Sequence, residues 1–138
     1  MNKLFKNLSV IALTAIFFVG LVAMNVPQDK PKPWPVPDEY KKMENPTKGD
    51  ADAINMGGML YKRHCASCHG RTGLGDGPKA RTLSTFSGDF SGPEYQNQTD
   101  GEHFYKTLKG RGDMPGYENK VTEEDIWSMV SYMRTFKK

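Results

Sequence analysis

Residues 64–70 read HCASCHG, and Cys65 and Cys68 are the only two cysteines among 138 residues. His69 follows the second directly. Cysteines three positions apart, with a histidine one further on, fall on about one turn of an α-helix. The three side chains crowd into one small volume, so the rest of the chain has to fold around whatever they serve.

Four uses of such a cluster can be weighed. A redox dithiol wants a βαβ context and a reactive cysteine at a helix N-terminus; here a helical pattern begins well before Cys65. Zinc would have to use His64, Cys65, Cys68 and His69, and four adjacent residues cannot readily surround one tetrahedral ion without a second ligand pair. A Cys65–Cys68 disulfide would close a tiny loop and remove little unfolded-state entropy. The fourth use fits best. Two thiols at this spacing add across the two vinyl groups of one haem, and the adjacent histidine turns a ring nitrogen to the iron. Cys65 and Cys68 are therefore expected to carry haem c through thioether links, with His69 as a ligand to the iron.

Composition agrees that something non-protein is needed. Hydrophobic residues make up 37% of the chain, against roughly 45–50% apolar usage in an ordinary domain, a range that counts glycine. Part of that share lies in the first 24 residues, outside any soluble core. A domain this poor in apolar material needs a disulfide, a metal or a cofactor. The net charge of +3 lies wholly in residues 1–37, where Lys3, Lys6, Lys30 and Lys32 outnumber Asp29; the remainder is balanced. The domain lacks the basic stripe of a nucleic-acid binder.

Three segments follow. In residues 1–24 two lysines precede an uncharged run from Leu8 to Met24. Its length suits a membrane anchor or a signal peptide. The anchor is the preferred reading, because Leu21 is bulky where a cleavage site after Ala23 wants a small residue. Either reading places the rest of the chain outside the cytoplasm, on the periplasmic face of the plasma membrane. Residues 25–50 carry Pro27, Pro31, Pro33, Pro35 and Pro37, the pattern of an extended polyproline spacer. Trp34 is unusual in a spacer, and either packs back on the domain or meets the membrane surface.

Residues 51–138 form the expected domain. Asp50 or Asp52 caps a first helix with Ile54, Gly57 or Gly58, Tyr61 and Cys65 on one face. Glycine on that face admits a second helix at close range. Asp100 is expected to cap a second helix with Phe104 and Leu108 inward, Lys106 and Lys109 in its last turn and Gly110 as its stop. Thr122 and Asp125 make a capping box for a third, which carries Ile126, Met129, Val130 and Met133 as one stripe. GRTGLGDGP and TFSGDFSGPEYQNQT are turn-rich, and no strand-length alternation appears. The fold class is all-α with long loops, which need something to pack on.

The sequence resembles the class I c-type cytochromes, especially the small bacterial monohaem domains, over about residues 51–138. CASCHG carries the resemblance first. GLGDGP is similar to the loop that those domains set beside the histidine, GDMPGY to their distal-ligand loop, and DIWSMVSYMRTF to their closing helix. The resemblance implies a cytochrome c fold, three main helices with long loops wrapped around one covalent haem. It implies that Pro78 accepts the second ring N–H of His69, and that Gly57 and Tyr61 meet Tyr132 and Met129 where the terminal helices cross.

The second axial ligand is expected to be Met114. It lies in a loop between Gly112-Asp113 and Pro115-Gly116, where glycine allows close approach and proline stiffens it. The resemblance points the same way, since the distal methionine there is usually followed by proline. Met56 and Met59 precede the attachment turn on its own helix, Met129 and Met133 read as core, and His64 points elsewhere on its turn. His103 reads as an exposed residue of the second helix. Trp127 reads as core. Arg71, Lys79, Arg81 and Arg111 could hold haem propionates, although each reads first as a solvated charge.

His/Met ligation leaves no open iron site and raises the potential. The expected function is that of an electron carrier, not an enzyme, passing single electrons between membrane or periplasmic redox proteins. Two other readings stand beside it. One is a cytochrome subunit of a larger respiratory or dehydrogenase complex. The other is a haem sensor or peroxidase-like protein with a labile Met114.

Overall fold

The structure is a computed structural model and describes residues 33–138. The expected anchor or signal segment, residues 1–24, lies outside the described residues. Within them no helix is long and apolar enough to cross a membrane.

The helices are α1 (Asp38–Lys41), α2 (Ala51–His64), α3 (Ala66–His69), α4 (Pro93–Gln96), α5 (Asp100–Lys109) and α6 (Glu123–Arg134), with one 3-10 turn at Ala80–Thr82. No strand occurs among the described residues, and an isolated bridge joins Arg111 to Met114. The long helices α2, α5 and α6 are the three expected from sequence.

Their ends follow local chemistry. The Asp50 carboxylate accepts from the backbone N–H of Asp52 and Ala53 at the start of α2. Thr122 and Asp125 close the expected capping box on α6. The start of α5 differs from expectation. Thr99 is its cap, boxed with Glu102, and Asp100 is the first helical residue. The displaced Asp100 carboxylate accepts instead from Arg134 Nε at 2.6 Å. Arg134 also donates to the carbonyls of Gln96 and Gln98, tying the end of α6 to the start of α5.

The main packing contact is α2 on α6. Gly57 makes it possible: a Cβ there would lie 2.0 Å from the Ser128 carbonyl oxygen. Tyr132 packs on Gly58 and lies 5.4 Å from the Tyr61 ring. The implied crossing is thus present, with Gly57 set against the Ser128–Met129 backbone and Gly58 against Tyr132. Tyr61, Phe104, Ile126, Met129 and Val130 are almost wholly buried. Trp127 is core as expected, stacked on Phe104 at 4.2 Å.

The segment expected as spacer behaves differently from Pro33 onward. Val36 and Asn45 are buried. Asn45 Nδ2 donates to Ser131 Oγ of α6 at 2.9 Å, and Ser131 Oγ donates to the Thr47 carbonyl. Tyr40 of α1 lies against the rings of Phe104 and Tyr105. Residues 33–50 are therefore part of the folded unit. Polyproline geometry persists at Pro37 (φ −59, ψ 146), but the strip is laid on α5 instead of standing in solvent.

Candidate functional site

The attachment turn continues α2 with a slight break. Cys65 N–H donates to the Tyr61 carbonyl and has φ −115, after which α3 carries Cys68 and His69. The glycine-rich loop then folds back over the turn. Gly75 N–H donates to the His69 carbonyl, Gly77 N–H to Cys68 and Lys79 N–H to Ser67. These bonds satisfy carbonyls that a helix end leaves unpaired. Tyr61 Oη donates to the Gly70 carbonyl at 2.8 Å and fixes the far side. The GLGDGP stretch thus lies beside the histidine.

Cys65, Cys68, His69 and Met114 all line one cavity. Its volume is about 250 Å³. Phe86, Phe90 and Tyr95 add aromatic wall. Both cysteines are free thiols. Burial, then the neighbouring Cys68, pushes the Cys65 thiol up to about 12, so it is protonated at neutral pH. Among the described residues no three of His, Cys, Asp and Glu are grouped as a simple metal site requires.

Burial pulls the His69 imidazole down to about 4, with a hydrogen bond to the Ser87 backbone opposing it. The ring is neutral at neutral pH, the form that binds metals. Its Nδ1 is buried without a hydrogen-bond partner, as is Ser87 Oγ. Nδ1 makes no bond to Pro78 in this structure. Pro78 is exposed and outside the cavity lining. The ring leans instead toward the 83–90 loop, 4.5 Å from Phe90 and against the Ser87 backbone.

Met114 closes a short turn with Gly112 and Asp113 at its tip. Arg111 N–H donates to the Met114 carbonyl at 2.8 Å, and the Met114 N–H donates back to Arg111 at 3.0 Å. The base of the loop is closed by Gly110, which has φ +68; a Cβ there would meet Gly116 N at 2.3 Å. Asp113 accepts from Ser84 N–H and Oγ at 2.8 and 2.6 Å, which draws the 83–88 loop to the Met114 loop. Tyr117 Oη donates to the His64 carbonyl at 2.9 Å, joining the end of this loop to α2.

His103 is a correction. It is buried and lines the cavity. Its Nε2 meets the Tyr95 carbonyl at 3.1 Å and its ring stacks on Tyr95 at 3.8 Å. Burial, with the charges of Arg134 and Lys106, pushes it down to about 3. Together with the His69–Phe90 contact and the Phe90–Tyr95 stack at 4.3 Å, this makes a column of four rings from His69 to His103. Met133 is core as expected, yet also lines the cavity and accepts from Tyr95 Oη. Of the four cations considered for propionates, Arg111 lines the cavity, while Arg71, Lys79 and Arg81 do not. Lys106, not singled out from sequence for that role, lines it too, and so does Trp34. The one sequence sign of Trp34 was an aromatic among prolines.

The donor set fits a covalently held haem. Two thiols and a neutral imidazole on one turn line a largely apolar cavity, a thioether lines the same space, and His69 Nδ1 is buried there without a protein partner.

Residues 52–133 match the family model described as cytochrome c oxidase, cbb3-type, subunit III. Among solved structures, the KustC0563 c-type cytochrome is 28% identical with a TM-score of 0.53, over 59% of this chain and 98% of that one. A chain of the Kuenenia stuttgartiensis reducing HAO-like protein complex Kustc0457/Kustc0458 is 20% identical with a TM-score of 0.60, over 78% of this chain and 52% of that one. This second likeness is one of fold. No curated protein matches the chain.

Proposed function

The chain belongs to this family of small c-type cytochrome domains with an all-α cytochrome c fold, and we propose that it is a one-electron carrier holding a single haem c. Cys65 and Cys68 form the thioether links, His69 and Met114 bind the iron, and the chain works outside the cytoplasm beside other redox proteins. The reading is carried by one observation: all four side chains line the same cavity although Met114 is far from the others in sequence. The haem supplies one-electron redox chemistry when bound. The chain's own residues orient and shield it. Cys65, Cys68 and His69 of the attachment turn and Met114 of the Arg111–Met114 turn would hold it, and Phe86, Phe90 and Tyr95 would limit the access of water. A soft thioether and a dry pocket both favour the reduced state.

Met114→Ala tests the reading. The carrier account expects a changed oxidised spectrum, a lower potential and carbon monoxide binding that the parent refuses. An unchanged spectrum and potential remove Met114 from the iron. Strong carbon monoxide binding by the parent itself favours the sensor or peroxidase-like alternative. A second placement, as subunit of a larger complex, is favoured by the family description, which names an oxidase subunit. Stable co-purification with a partner from membranes supports it; a chain recovered only alone supports the free carrier.

A further inference from the structure

The extended strip before α1 reaches the cavity. Trp34 is half-buried and lines the cavity together with Met114, Lys106 and Arg111. The Arg111 guanidinium lies 4.4 Å from the centre of its ring, and Lys106 Nζ lies 6.0 Å from it. Arg111 Nη1 also donates to the Pro33 carbonyl at 2.9 Å. One side chain thus holds the strip at two neighbouring points, by hydrogen bond and by cation–π contact. The strip is anchored on its other side by buried Val36 and by Tyr40 against Phe104 and Tyr105.

Arg111 is also the backbone partner of Met114, through both of its main-chain groups. The contacts therefore run in series from Trp34 to the Arg111 side chain, and from the Arg111 backbone to Met114. Lys106 flanks the same ring, and its head is held by Gln98 Oε1. Desolvation lowers the Lys106 pKa, as expected where an aromatic body displaces water.

We infer that Trp34 is a positioning residue of the haem site: it forms part of the cavity wall and, through Arg111, holds the turn that presents Met114. The cofactor pocket then extends beyond residues 52–133, the stretch that matches the family, into a segment whose composition reads as linker. The inference rests on the carrier reading above. Its physical basis is that the shell around a metal site governs water access and so the potential, while a loop ligand stays bound only if its loop is held.

The test uses the full chain produced with haem-attachment machinery, as parent, Trp34→Ala and Trp34→Phe side by side. In Trp34→Ala the absorption signature of thioether-ligated oxidised haem should weaken. Carbon monoxide affinity of the reduced protein should rise at least tenfold. The oxidised-to-reduced ratio at fixed potential should rise roughly tenfold, about 59 mV for one electron. Helical circular dichroism should stay at the parent level, and Trp34→Phe should recover most of the parent behaviour. A Trp34→Ala protein with parental spectrum, potential and refusal of carbon monoxide overturns the inference and leaves the carrier reading intact. If the alanine variant does not accumulate, Trp34→Phe decides. A smaller shift of the same sign supports the inference, while parental values assign Trp34 to folding and overturn it. A parent without bound haem sinks the carrier reading, and this inference with it.

Discussion

The turn that carries His69 is tied to the loop after it by main-chain bonds, whereas the Met114 turn, closed on itself by its Arg111–Met114 main-chain pair, depends on side-chain bonds to reach distant segments. On the first, loop residues 75–79 donate straight back to Ser67, Cys68 and His69, and Tyr61 closes the turn at Gly70. On the second, Asp113 reaches Ser84, Tyr117 reaches His64 and Arg111 reaches Pro33. The His69 wall of the cavity loses little from any single side-chain deletion. The Met114 wall can be loosened one contact at a time, so the chain has a fixed side for attachment and an adjustable side for tuning.

The largest expected effect lies beneath both walls. Gly57→Ala puts a Cβ 2.0 Å from the Ser128 carbonyl oxygen, and α2 and α6 must part. A loss of roughly 3 kcal/mol or more is expected, seen as a lower Tm of the haem-loaded protein; an unchanged Tm breaks the account of the crossing. Next comes acid. His103 titrates near 3 in the folded chain, against an ordinary value near 6.5. Between those values the unfolded chain binds the extra proton. Stability should therefore fall as pH drops from about 6.5 to about 3, by a few kcal/mol over the window. His103→Phe keeps a stacking ring and should flatten that slope; an equal slope in both removes His103 as its source.

Gly110→Ala addresses the Met114 wall by itself. The new Cβ meets φ +68 and the Gly116 backbone, costing roughly 2 kcal/mol. Thioether ligation should weaken while haem attachment stays complete. Equal damage to both sides would erase the contrast between the walls. Tyr61→Phe removes one buried bond to Gly70, worth about 1 kcal/mol, and should lower Tm slightly with the potential unmoved. The smallest effect belongs to Ser84→Ala. It removes one of two bonds to an exposed Asp113 carboxylate, where water competes for the same acceptor. Hydrogen exchange should quicken at residues 111–116 and stay unchanged at residues 65–70.

The same contrast decides what was legible in the sequence. The attachment turn, α2, the α6 capping box and the Gly110 stop are written in neighbouring residues, and each reads from spacing and cap chemistry alone. The Gly57 contact was visible as a glycine on an apolar helical face. Thr99 and Asp100 can both cap, and the choice between them depends on Arg134, which takes the Asp100 carboxylate from 34 residues later. His103 read as exposed because its partners, Tyr95 and the cavity, depend on how the 83–98 loops fold. Trp34, Val36 and Asn45 sit in a proline-rich stretch without helical or strand period, so nothing local announces that they pack on α5 and α6. The glycine- and proline-flanked loop around Met114 is legible in the sequence, whereas the strip and the Ser84 contact that hold that loop are not.

The central claim is that one haem is covalently held by Cys65 and Cys68. Intact mass of the protein made with attachment machinery, taken with thiol alkylation under denaturing conditions, tests it most directly. The account predicts a mass increase of one haem and no alkylation of either cysteine. A colourless chain that takes two alkyl groups would contradict it.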